Sequence, residues 1–126
     1  MKLILIVGIG SFLGGIFRYT LSQFIQAKSL STFPYGTLCV NLVGCLIIGV
    51  VLALSDRTFI SQEWKLFLAT GICGGFTTFS AFSGETFSML RIGHYSSAAL
   101  YVIASVVLGV LLTCVGYLIT SRFTVA

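Results

Sequence analysis

The chain has 126 residues, 57% of them hydrophobic and only 8% charged, and its mean hydropathy is +1.09. A soluble domain carries about 25% charged residues, so too few charges remain here to cover a water-facing surface, and a soluble globular fold is excluded. The formal net charge of +4 comes from scattered cations, Lys2, Arg18, Lys28, Arg57, Lys65, Arg91 and Arg122; with no basic run or patch among them, nucleic acid is excluded as a partner.

A spanning helix needs about 20 mostly apolar residues. Four stretches meet that length: residues 3–25, 36–54, 66–90 and 96–121. Their connections are too short to hold a soluble domain, so residues 1–126 read as one all-α, four-span membrane domain.

The first span follows Met1-Lys2 in the manner of a signal peptide, but no small-residue cleavage site leads into a soluble chain, and Arg18 interrupts the run. Gly10 and Gly14 in this span, like Cys45 and Gly49 in the second, have the small-xxx-small spacing that lets helix backbones approach. Contact within the chain and contact between two copies explain that spacing equally well. The Gly8-Ile9-Gly10 run lacks a preceding strand and is not a dinucleotide loop.

In the second span the anomaly is Asn41, whose amide donates two hydrogen bonds. Two uses stand open for it, a bond between helices and a contact with a polar solute. The cysteines, at 39, 45, 73 and 114, form no CxxC or His/Cys cluster, which argues against a metal or redox site built on them and for core packing.

The third span carries the strongest signal. Residues 71–85 read Gly-Ile-Cys-Gly-Gly-Phe-Thr-Thr-Phe-Ser-Ala-Phe-Ser-Gly-Glu, polar and glycine-rich where hydrocarbon is expected. Thr77 and Thr78 fall near the midpoint of the span, directly after Gly74-Gly75. Two readings stand. One is a helix interrupted at the glycines, which frees carbonyls and amides at mid-membrane. The other is a glycine kink satisfied by neighbouring threonine hydroxyls. Phe79 and Phe82 are three apart and share a helix face. A phenyl ring has a positive edge, so the pair offers an anion weak attraction without a trapping charge, or it is ordinary packing. The donors Thr77, Thr78, Ser80 and Ser83 are interleaved with it. In the fourth span Tyr101, Ser105, Gly109 and Thr113 lie four apart on one stripe, a polar track or a packing seam. Arg18 and Glu85 are the charges well inside spans; lining a vestibule, pairing with each other and snorkelling are all open to them.

Four spans put both termini and residues 55–65 on one side of the membrane. That side holds Lys2, Arg57, Lys65 and Arg122, against Lys28, Arg91 and, if near that end, Arg18 on the other. Cytoplasmic loops normally carry the excess of Lys and Arg, and here the bias is close to nil. Either a partner or the translocon sets the orientation, or the chain inserts both ways and pairs with its inverted copy.

Taken together, Gly14-Gly15-Ile16-Phe17-Arg18-Tyr19, Gly36-Thr37-Leu38-Cys39-Val40-Asn41 and the run from Thr70 to Glu85 resemble the Fluc/CrcB family of small fluoride channels over essentially the whole chain. The resemblance implies a passive, fluoride-selective channel, not an enzyme, that exports cytoplasmic fluoride and lowers its toxicity. It implies a multi-pass protein of the bacterial plasma (inner) membrane. The implied assembly is an antiparallel, dual-topology homodimer with the third helix broken mid-membrane and two pores along the subunit interface. A structural Na⁺ would sit at the dimer axis on backbone carbonyls of Gly74 and Thr77. Phe79 and Phe82 match the phenylalanines of the fluoride path, Asn41 the pore asparagine, Ser80 and Tyr101 polar pore positions, and Arg18 the vestibule arginine. With Thr78, Ser83 and Ser105 from the polar tracks, these complete the candidate pathway. Ala81 departs from the threonine common in the family and removes one hydroxyl. The rival readings are a dual-topology small multidrug-type exporter and a non-transporting membrane assembly subunit. The exporter requires a carboxylate in the first span, which has none.

Overall fold

A computed structural model of the chain describes residues 1–57 and 59–123. Within them the structure is all-helical: α1 (Lys2–Lys28), α2 (Tyr35–Asp56), α3 (Gln62–Lys65), a π-helical segment (Leu66–Cys73), α4 (Gly74–Phe76), α5 (Phe79–Arg91) and α6 (Tyr95–Phe123). Four helical runs, Lys2–Lys28, Tyr35–Asp56, Gln62–Arg91 and Tyr95–Phe123, are long and apolar enough to cross a membrane. Each extends the corresponding sequence stretch by a few residues at its ends. Polar end residues such as Lys28 and Asp56 belong to the helix even though hydropathy excludes them.

α2 packs most extensively on α6, and α1 packs on the π-helical segment and α4. Glycine permits both approaches. A Cβ at Gly14 would overlap the carbonyl oxygen of Ile72, and one at Gly49 would overlap that of Thr113. The small-residue spacings in α1 and α2 thus serve helix contacts within the chain. Replacing Gly14 by alanine should therefore lower stability by about 1–3 kcal/mol through overpacking. Gly8, where an added methyl would meet nothing within 4 Å, should tolerate alanine; thermal unfolding of both variants in detergent checks the contrast.

Gln26 ties the loop between α1 and α2 to both helices, beside local bonds to the Ser29 and Ser31 hydroxyls. Gln26 Nε2 donates to the carbonyls of Ser31 (3.1 Å) and Phe33 (3.2 Å), while its Oε1 accepts from the Gly36 amide (3.1 Å). At the opposite end of α1, Lys2 Nζ lies 2.6 Å from Glu63 Oε1, an exposed ion pair of the kind that contributes little stability.

The run from Gln62 to Arg91 is not uniform. Gly74 has ordinary helical torsions (φ −63°, ψ −36°), whereas Thr77 (φ −86°, ψ 154°) and Thr78 (φ −147°, ψ 116°) are extended. Gly74 itself keeps helical torsions, and the extended residues are the β-branched threonines directly after the glycine pair, which suit that backbone. Gly75 serves a close approach instead, since a Cβ there would overlap the Ser11 carbonyl oxygen. Thr78 then caps α5, its Oγ1 accepting from the Ala81 amide at 3.2 Å, as an N-cap threonine does.

Candidate functional site

The site is built around the two extended threonines. Asn41, on α2, meets Thr78 twice: the Thr78 amide donates to Asn41 Oδ1 at 2.8 Å, and Asn41 Nδ2 donates to the Thr78 carbonyl at 3.2 Å. In a continuous helix the Thr78 amide would serve the Gly74 carbonyl; Asn41 takes it instead. The Gly75 carbonyl accepts from Arg18 Nε at 3.2 Å. The Cys73 carbonyl accepts from both the amide (2.9 Å) and the hydroxyl (2.8 Å) of Thr77. Remote side chains thus take over hydrogen bonds that the helix gives up, as buried backbone requires.

Beside this junction runs an open groove of about 410 Å³. Asn41, Gly44, Cys45 and Ile48 line it from one face of α2, Gly74, Thr77 and Thr78 from the junction, and Phe79, Phe82 and Ser105 from α5 and α6. Among the described residues, no Lys, Arg, Asp or Glu lines it. The Phe79 and Phe82 centroids are 5.6 Å apart with planes tilted by 43°. Phe79 is 79% exposed within the single chain, so its ring is not spent on packing there. Ser105 Oγ is buried with no hydrogen-bond partner among the described residues. Such a surface offers hydroxyl and amide donors and ring edges, with no fixed charge to hold an ion.

The other expected residues stand elsewhere. Ser80 is exposed, with its Oγ 3.2 Å from Thr78 Oγ1, and Ser83, on α5, is exposed as well. Tyr101 is 0% exposed and sits behind the groove wall, its ring 5.1 Å from that of Phe82. Arg18 lines a neighbouring groove of about 250 Å³ together with Thr37, Thr78, Ala81 and Glu85. Ala81 lines that groove and a third of about 400 Å³ beside His94, so the hydroxyl that alanine removes is missing there and not from the groove of Asn41.

Sequence alone leaves open what Glu85 does. Its carboxylate accepts from Thr37 Oγ1 and from Tyr101 Oη, each at 2.6 Å. Charge-assisted bonds of that length are strong and pin α5 to α2 and α6. The spacing of Tyr101 places it on a polar stripe, but nothing local reveals a partner 16 residues back. Tyr101→Phe leaves one carboxylate oxygen a donor short and should cost about 1–3 kcal/mol, read as a lower unfolding temperature in detergent.

The family model described as "CrcB-like protein, Camphor Resistance (CrcB)" matches residues 5–117. This chain belongs to the CrcB-like family. The match takes in every residue lining the 410 Å³ groove. Among CrcB-like relatives, the "Fluoride-specific ion channel FluC" of Phocaeicola vulgatus is 44% identical over 111 residues, 88% of this chain and 92% of the relative. A protein of the same name from Leptospira interrogans serovar copenhageni is 47% identical over 110 residues, 86% and 87% of the two chains. A third, from Azobacteroides pseudotrichonymphae, is 38% identical over 124 residues, 98% and 99% of the two chains.

Proposed function

We propose that this CrcB-like chain is a passive, fluoride-selective channel that lets cytoplasmic fluoride leave the cell. The observation that carries the reading is the uncharged groove where Asn41, Thr78, Ser105, Phe79 and Phe82 converge. The names of the relatives support it, each being a fluoride-specific ion channel. Fluoride enters a cell as neutral HF, ionises at cytoplasmic pH and is trapped. An inside-negative potential drives the anion out with about 2.3 kcal/mol per charge for each 100 mV, so a pore suffices. Fluoride holds its water tightly, and hydroxyl and amide donors replace that shell. A cationic lining would bind the ion too strongly for release.

The pathway we propose runs from Arg18 at the vestibule along Asn41, Thr78, Phe79 and Phe82 to Ser105, with Ser80, Ser83 and Tyr101 contributing polar groups near it. The extended threonines then mark a break in the third span at mid-membrane. The active form is an antiparallel, dual-topology homodimer in the bacterial plasma membrane, a reading supported by the near-equal Lys/Arg count on the two sides. The residues also fit a structural Na⁺. Gly74 and Thr77 both line the groove, and the amide that would occupy the Gly74 carbonyl goes to Asn41. Carbonyl oxygen is the donor a hard cation takes. One copy offers two carbonyls against the roughly six oxygens of such a shell; two copies would offer four, with water left to complete it, so we place the ion between two copies, where it would offset the facing carbonyl dipoles and hold the chains together.

The test is fluoride release from liposomes holding only this protein, followed with a fluoride electrode beside a chloride control. Rapid fluoride release with chloride retained is expected. No fluoride release refutes the channel and leaves an assembly subunit; equal chloride release refutes selectivity. The exporter reading is disfavoured by α1, which holds no carboxylate.

A further inference from the structure

The groove contains a second donor set that the fluoride reading does not use. Cys45 stands one helical turn beyond Asn41 on α2, and Cys73 stands one turn before Thr77; both line the groove wall. They come from separate elements, Cys45 from α2 and Cys73 from the end of the π-helical segment, and face the same groove. Both are free thiols, and Cys73 is only 5% exposed. Of the remaining cysteines, Cys39 does not line the groove and Cys114 is exposed on α6.

We propose that Cys45 and Cys73 form a two-thiol site for soft, two-coordinate cations of the Hg(II), Ag(I) and Cu(I) class, and that occupation of this site blocks the groove. Donor chemistry sets the two residues apart. Every other heteroatom on the lining is a hard amide, hydroxyl or carbonyl oxygen or nitrogen, whereas the two sulfurs are soft, and thiolates select soft metals. A linear two-sulfur shell needs no third ligand, which agrees with the absence of any larger His/Cys/Asp/Glu group among the described residues. On binding Hg(II), two S–H bonds break, two S–metal bonds form and both protons leave to water; no electron changes hands. The metal then lies one turn from both Asn41 and Thr77, in the space an anion crosses. Hard Na⁺ and the soft metal use different donors, so they do not compete.

The blocking half of this proposal rests on the channel reading; the binding half does not, and the experiment separates them. One equivalent of Hg(II) is added to the purified full-length protein, free thiols are labelled with maleimide, and the labelled positions are mapped by mass spectrometry. Protection of Cys45 and Cys73, with Cys39 and Cys114 labelled, is expected. Fluoride efflux from proteoliposomes should be blocked by Hg(II) and restored by dithiothreitol, whether or not Na⁺ is present. Cys45→Ser and Cys73→Ser should each be less sensitive by at least about tenfold, the loss that removal of an outer-shell partner already produces. Cys45→Ala and Cys73→Ala stand in where a serine variant fails to fold, and Cys39→Ala with Cys114→Ala should keep full sensitivity. Protection of another pair, or unchanged sensitivity in both single variants, overturns the site. Protection of the pair with fluoride flux unaffected overturns the block. Protection of the pair in a protein that never passes fluoride refutes the channel reading while the metal site stands.

Discussion

Fluoride efflux from proteoliposomes should fall about two- to tenfold when Phe79 or Phe82 is replaced by isoleucine, as expected if each ring edge contributes about 0.5–1.5 kcal/mol to the passing ion. Isoleucine keeps the bulk and the apolar character and removes the positive edge. The two variants are not equivalent as controls. Phe82 packs against Tyr101 at 5.1 Å and Phe79 at 5.6 Å between centroids, so its loss also disturbs the wall of the groove. Phe79 is 79% exposed in the chain, and its replacement should leave the folding of each subunit unchanged. Size-exclusion chromatography and thermal unfolding, run beside the flux assay, separate lost conduction from lost structure. Unchanged flux in Phe79→Ile would remove the rings from the pathway.

A larger loss should follow from breaking the charge balance. Several lysines introduced between residues 55 and 65 add to Arg57 and Lys65 and should commit that side to the cytoplasm. A population held in one orientation cannot form an antiparallel pair, and its fluoride flux should vanish. Coexpression with a variant biased the other way, through lysines added beside Lys28 and Arg91, should restore it. Retained flux in a population shown by accessibility labelling to have one orientation would defeat the dual-topology reading.

The four spans are legible because hydropathy over a window of helical length is a local quantity. The same holds for the convergence of Phe79 and Phe82, which three-residue spacing puts on one face of α5. The neighbourhood of the extended residues is legible, but which residues leave the helix and what holds them is not. Glycine is the local cue at Gly74-Gly75, yet the backbone departs from the helix at Thr77 and Thr78, where a side-chain amide 37 positions away, on Asn41, takes both backbone polar groups of Thr78. The partners of Glu85 are hidden for the same reason, with Thr37 lying 48 positions before it and Tyr101 16 after.

By itself the sequence determines that this chain is helical, lives in a bilayer and carries a polar, aromatic third span with balanced flanking charge. Composition and short-range periodicity decide those properties. The tertiary structure alone decides which backbone groups leave the helix, which side chains satisfy them, and that Tyr101 stands behind the groove while Asn41, Phe79, Phe82 and Ser105 line it. Unpaired polar groups are costly in a low-dielectric interior. The backbone groups of Thr78 and the Gly75 carbonyl therefore take partners where the fold brings them close, and that proximity is not written in local spacing.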